Sequence, residues 1–190
     1  MNAETKILLA YKHQQTNKLY FNEIKRATKL SNSSLQNALK KLTNKHILKT
    51  TKTTAHTYYH LHNKKYTATI YAQEAIQEFE NLPTSIRAPL RDLQKTLPTN
   101  TYTAILFGSA RTTNTPNDID ILVVTHQQTT INTQEAQNTS QYPISLFTCT
   151  TKEFLQTNDE IIQQAKTTGM PIHNEQTFYE AILDEHQQAL

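Results

Sequence analysis

Two apolar runs divided by a short polar loop constrain this chain more than any other feature. Ala104-Ile105-Leu106-Phe107 reads as a buried strand, and Ile119, Ile121, Leu122, Val123 and Val124 read as a second. Gly108-Ser109 ends the first strand, and Asp118 and Asp120 stand at the start of the second. Residues two apart on a strand point to the same face, which sets the two carboxylates side by side, roughly 6–7 Å apart at the backbone. Like charges that close repel unless a cation lies between them. Oxygen-only ligands suit a hard divalent ion such as Mg²⁺, which usually also takes substrate phosphates. Bare backbone N–H groups and a hydroxyl at Gly108-Ser109 suit those phosphates. The local chemistry is that of a metal ion and a nucleoside triphosphate. The chain has only two glycines in 190 residues. Such a chain keeps Gly108 where no Cβ fits.

Gly108-Ser109, a loop, then Asp118-Ile119-Asp120 resembles the motif of the nucleotidyltransferases of the DNA polymerase beta superfamily. It is most similar to their minimal form, Gly-Ser-x-x-Arg-Gly followed by Ser-Asp-Ile-Asp-Leu. Here one residue fewer precedes Arg111, and Thr112 stands where a second glycine is usual. The resemblance covers residues 83–190. It implies a small mixed sheet flanked by helices, with Asp118 and Asp120 as catalytic metal ligands for Mg²⁺ or Mn²⁺. Gly108 and Ser109 would hold the β- and γ-phosphates, and Arg111 would add charge. The implied reaction moves a nucleoside monophosphate from an NTP to a protein hydroxyl or an RNA end. In the family a third carboxylate sits mid-strand between apolar neighbours. Here that strand reads Ile144-Ser145-Leu146, so Ser145 takes the place. Glu135 and Glu153 are near in sequence, but Glu153 has capping-box spacing from Thr150. The alternative is a DNA-binding regulator or antitoxin-like protein whose degenerate transferase domain binds nucleotide or docks a partner.

Charge divides the chain. Residues 1–65 hold thirteen Lys and Arg against two acids, Glu4 and Glu23, a net +11. Residues 66–190 hold six bases and fourteen acids, a net −8, so the halves sum to the whole chain's +3. This asymmetry predicts two domains with different partners, the basic one facing a polyanion.

In the basic half, residues 3–15 read as a helix with Ile7, Leu8 and Tyr11 inward. A second helix starts at Asn22 and carries Ile24 and Ala27. A third, capped by Ser31 or Asn32, sets Leu35, Ala38, Leu39 and Leu42 at helical spacing. Ile47-Leu48 begins an extended stretch, and Lys49 to Thr57 reads as a hairpin loop before the alternating Tyr58 to Leu61. Three helices and a two-stranded wing resemble a winged helix-turn-helix over residues 1–65. The third helix would enter a major groove, with Ser33, Gln36 and Asn37 toward base edges. Lys40, Lys41, Lys45, Lys49 and Lys52 would contact phosphates. Duplex DNA is expected over RNA, because no aromatic stacking residues are arrayed on a sheet. His56, His60 and His62 lack the Cys or acid partners of a zinc site.

Residues 66–82 read as a connecting helix with Ala68, Tyr71, Ala75, Phe79 and Leu82 on one side. Residues 84–97 form another, with Pro89 inside it. The polar stretch 126–141 holds a short helix or a mobile loop. One helix carries Phe154, Leu155, Ile162 and Ala165, closed by Gly169 as its C′ residue. Met170-Pro171-Ile172 is a short extended piece, and a last helix runs from about 175 to 188. The tail from Gly169 to Ile182 also resembles archaeal members of the family with an N-terminal winged domain. No run approaches the ~20 apolar residues of a membrane span. The first residues lack a signal peptide's pattern, and lone Cys149 reads as a small buried hydrophobe. A cytoplasmic location and no membrane are expected. A homodimer is compatible with the sequence.

Overall fold

A computed structural model describes residues 1–188. The fold is α+β, and the contacts divide it into two compact units. One comprises Met1–Tyr71 with the chain from Tyr179 on; the other is Ala72–Phe178. Among the described residues, no helix is long and apolar enough to cross a membrane.

The first unit opens with α1 (Ala3–Gln14), capped by Asn2, whose side chain accepts from the Thr5 N–H at 2.8 Å. Ile7, Leu8 and Tyr11 are fully buried, and the Tyr11 hydroxyl donates to the Tyr59 carbonyl. A three-residue strand follows, β1 (Lys18–Tyr20). Then come α2 (Phe21–Thr28) and α3 (Asn32–Asn44). The start of α2 is set by Glu23, whose carboxylate accepts from the Tyr20 N–H at 2.9 Å. Asn22 is therefore inside the helix and not its cap. Thr28, not Ala27, accompanies Ile24 inward. Ser31 caps α3, accepting from the Ser34 N–H. Leu35, Ala38, Leu39 and Leu42 are all buried, as their spacing requires.

Two further strands, β2 (Leu48–Lys52) and β3 (Thr57–Leu61), form an antiparallel sheet with β1 in the order β1-β3-β2. Lys49 to Lys52 thus belong to a strand, and the loop shrinks to residues 53–56. The register places Lys18, His60 and Lys49 in one row, and Tyr20, Tyr58 and Thr51 in the next. Alternation puts both rows on one face, while Leu19, Leu48 and Leu61 are buried on the other.

A long helix, α4 (Lys64–Glu80), runs through the boundary between the units, with Ala68, Tyr71, Ala75 and Phe79 buried. In the second unit α5 (Thr84–Thr96) continues through Pro89, and Ile86, Leu90 and Leu93 are fully buried. The strands β4 (Thr101–Phe107) and β5 (Ile119–Thr125) pair antiparallel and are buried along nearly their whole length. A short helix, α6 (Gln134–Thr139), interrupts the polar stretch. The strand β6 (Ile144–Thr150) lies parallel to β5. Next come α7 (Thr151–Gln156) and α8 (Glu160–Thr168), then β7 (Met170–His173) and α9 (Glu175–Gln188). The mixed sheet has the order β6-β5-β4-β7.

Two expectations change here. The single helix carrying Phe154 to Ala165 is two helices, because Asp159 caps a new start and accepts from the Ile161 and Ile162 N–H groups. Leu155 consequently faces solvent. Gly169 is not a left-handed C′ residue, since its φ is −73°. A Cβ there would sit 2.1 Å from the Ala165 carbonyl oxygen and 2.4 Å from Ile105 Cγ2. Close approach of α8 to β4, not backbone handedness, accounts for this glycine.

Candidate functional site

The site lies where β4 ends and β5 begins. Phe107 pairs with Asp120 across β4 and β5, and Asp120 pairs with Ser145 across β5 and β6. Asp120 and Leu122 alternate onto one face of the sheet, with Ser145, Phe147 and Cys149 beside them, and Asp118 immediately precedes the strand. The Ser145 hydroxyl donates to Asp118 at 3.2 Å. The two aspartates are close enough to feel each other. Burial, and then the Asp118 charge, push the Asp120 carboxyl above its ordinary value. No Lys or Arg pairs with either aspartate among the described residues.

Gly108 is what lets Asp120 occupy this position. Its backbone has φ +67° and ψ −154°, a conformation that is essentially restricted to glycine. A Cβ at Gly108 would lie 2.1 Å from Asp120 Oδ2. The carboxylate is therefore packed directly on the bare α-carbon. After it, Ser109–Arg111 makes one 3₁₀ turn, with Ser109 exposed and Ala110 buried.

Arg111 is engaged away from the acid pair. It donates to the Thr168 carbonyl and lies 3.6 Å from the Glu78 carboxylate. Among the described residues, no third His, Cys, Asp or Glu joins the pair in a metal-holding group. Glu153 is held in the capping box of α7, where the Thr150 N–H donates to it and keeps its carboxyl below the ordinary range. Glu135 is an exposed residue in the first turn of α6.

A groove of about 420 Å³ is bounded by β6, α7 and α8, and neither aspartate lines it. Leu122, Phe147, Cys149, Glu153, Asp159 and Ile162 line it. Leu122 and Phe147 stand two residues beyond Asp120 and Ser145 on the same sheet face. The Cys149 thiol is pushed up to about 12, by burial first and then by the Glu153 and Asp159 charges. The shift favours the thiol over the thiolate.

In the first unit, Ser33, Gln36, Asn37, Lys40 and Lys41 are all exposed along α3. Lys45 pairs with Glu4 at 3.1 Å. Lys49 and Lys52 are exposed on β2, where alternation separates them onto opposite faces. His60 bonds the Thr51 hydroxyl at 2.7 Å and His56 stacks on Tyr20, so the histidines do not converge as a metal site.

The expectation that no aromatic residues are arrayed on a sheet does not hold. Tyr20, His56 and Tyr58 meet at the outer face of β1 and β3. Only pairing of β1 with β3 brings them together, and β1 is too short to carry a periodic signal. No family model matches the chain, nor does any curated protein or solved structure.

Proposed function

We propose that the second unit is a nucleotidyltransferase-like domain that holds a divalent ion and a nucleoside triphosphate. We further propose that the first is a winged helix-turn-helix that binds duplex DNA. The observation that carries the first reading is the fit of Asp120 against Gly108. Two unneutralised carboxylates close together where β5 begins, beside the Gly108-Ser109 turn, suit a cation with an attached phosphate tail. When bound, Mg²⁺ or Mn²⁺ would offset the triphosphate charge and lower the pKa of an acceptor hydroxyl.

The chain's own residues have distinct tasks. Asp118 and Asp120 supply the ligand oxygens. Gly108 makes room for the Asp120 carboxylate, and the exposed Ser109 hydroxyl with the N–H groups of the turn after it would donate to phosphate oxygens. Transfer would form a bond from an acceptor oxygen to the α-phosphorus and break the bond to pyrophosphate. The acceptor would be a protein hydroxyl or an RNA end. Arg111 would have to leave Thr168 and Glu78 to aid the phosphates.

Ser145 favours a second reading. Its hydroxyl donates to Asp118 from the place where a third carboxylate would accept the acceptor's proton. A serine cannot serve as that base at neutral pH. On this reading the domain binds Mg-nucleotide without turning it over, and the protein is a nucleotide-responsive DNA-binding regulator.

One experiment separates the two. The protein is incubated with each α-labelled NTP, Mg²⁺ and cell extract, and label is sought in protein and RNA. Transfer that disappears in Asp118→Ala/Asp120→Ala supports the enzyme. Mg-dependent NTP binding without transfer supports the regulator. Neither binding nor transfer refutes both readings. For the first unit, duplex affinity should fall steeply between 50 and 200 mM salt, on the order of tenfold or more per few phosphate contacts. A flat salt response would refute the DNA reading.

A further inference from the structure

The basic unit carries a second surface that the reading of α3 does not use. On the outer face of its sheet, the Tyr20 and His56 rings stack with centroids 4.6 Å apart and planes 20° from parallel. Tyr58 meets both edge-on, at 6.0 Å from Tyr20 and 6.1 Å from His56. Lys18 sets its ammonium 4.2 Å from the Tyr58 ring centroid. The register adds Lys49 in the row of Lys18 and His60. His56 and both lysines are exposed, and the tyrosines are half-buried.

Three rings that only completed a core would be covered, and these are not. His56 ends a two-ring stack at the solvent, so a flat aromatic partner can extend it as a third layer. Any partner must also tolerate Lys18 and Lys49 on a unit whose sequence is strongly cationic. A nucleobase on a phosphate backbone satisfies both conditions. Bases paired in a duplex expose no face to such a stack, whereas unpaired bases do.

We propose that the outer face formed by Tyr20, His56, Tyr58, Lys18 and Lys49 binds unpaired nucleobases of single-stranded nucleic acid. Stacking on the exposed His56 ring holds the base, Tyr58 supports the Tyr20–His56 stack from its side at 89° to His56, and the lysines meet the flanking phosphates. The proposal rests on the nucleic-acid reading of the basic unit but uses none of the α3 residues. Its failure is therefore separable from failure of the duplex reading.

The test uses the full chain and fluorescence anisotropy with labelled dT12, labelled U12 and a labelled 20-base-pair duplex. At least one single strand should bind, and comparison of the two shows whether DNA or RNA is preferred. His56→Ala should weaken single-strand binding by about 5- to 150-fold, the span for removing a base-stacking ring, and Tyr58→Ala, which removes the lateral support of the stack, should weaken it by a smaller factor. Their duplex affinity should change less than about threefold. His56→Phe and Tyr58→Phe, which keep an aromatic ring, should retain at least a third of the single-strand affinity. Lys40→Ala/Lys41→Ala should show the reverse selectivity. Absence of binding to both single strands overturns the proposal. So does wild-type affinity in the alanine variants, or equal loss in the phenylalanine variants, which would mark the cluster as a structural support of the sheet.

Discussion

Gly108→Ala adds one methyl group and brings two separable penalties. The backbone at φ +67° and ψ −154° lies in a region that costs a residue with a Cβ about 1–3 kcal/mol. The new Cβ would also sit 2.1 Å from Asp120 Oδ2 and 3.1 Å from Asp120 Cγ, so the carboxylate must swing away. Overpacking of this kind costs about 1–3 kcal/mol. Together the substitution should destabilise the second unit by about 2–6 kcal/mol, and one kcal/mol corresponds to about 2–4 °C in a chain of this size. A double-mutant cycle separates the contributions. In an Asp120→Ala background the clashes with Oδ2 and Cγ vanish, while the 3.3 Å approach to Cβ and the backbone part stay. Urea unfolding of the four full-length proteins should therefore give a coupling energy of about 1–3 kcal/mol. A coupling near zero would mean that Asp120 does not rest on Gly108. A total cost below about 0.5 kcal/mol would refute the backbone argument as well.

Asp120→Asn should stabilise the protein free of metal. Two charges about 6 Å apart repel by roughly 0.7–2.8 kcal/mol across effective dielectrics of 80 to 20, and solvent at this half-exposed group favours about 1 kcal/mol. The raised Asp120 carboxyl holds a proton in the folded state that the unfolded chain has released. Wild-type stability should thus fall as pH rises through the window just above the ordinary carboxylate range, and Asp120→Asn should lack that fall. In thermal melts, 10 mM Mg²⁺ should raise the wild-type midpoint and leave Asp120→Asn unmoved; an equal rise in both would refute the metal assignment. Gly169→Ala should cost about 1–3 kcal/mol, read by urea unfolding, because its Cβ would meet the Ala165 carbonyl and Ile105. The His60 imidazole is lowered by burial, then by Lys18 and Lys49. Its contribution to stability is present above pH 6.5 and lost as pH falls through the lowered value, by less than about 1 kcal/mol at this exposure. Denaturation of wild type and His60→Gln at pH 7.5 and 5.5 checks this, and a smaller loss in wild type would contradict it.

The helices and central strands were legible because their signals are local. Leu35, Ala38, Leu39 and Leu42 had to share a helix face, and all four are buried. The β4 and β5 runs had to be covered, and they are the inner strands of the sheet. Thr150 and Glu153 form the expected capping box. The illegible parts are those decided by remote partners. β1 exists only through its pairing with β3, and β7, legible as the extended Met170-Pro171-Ile172, gave no sign of its pairing with β4. The break between α7 and α8 depends on Asp159 acting as a cap, a role that many aspartates in helical sequences do not take.

The same division runs through the candidate site. Sequence alone determined that one apolar strand ends at Gly108-Ser109, that the next begins at Asp118-Ile119-Asp120, and that the positive charge gathers in residues 1–65. Spacing and counts suffice for such statements, since chain geometry repeats every two or 3.6 residues. Tertiary structure alone decided that Asp120 rests on Gly108, that Ser145 donates to Asp118, and that Arg111 is committed to Thr168 and Glu78. It also decided that Tyr20 and His56 stack. Each of these joins residues far apart in the chain, and no local period encodes which distant side chain will fill a given space.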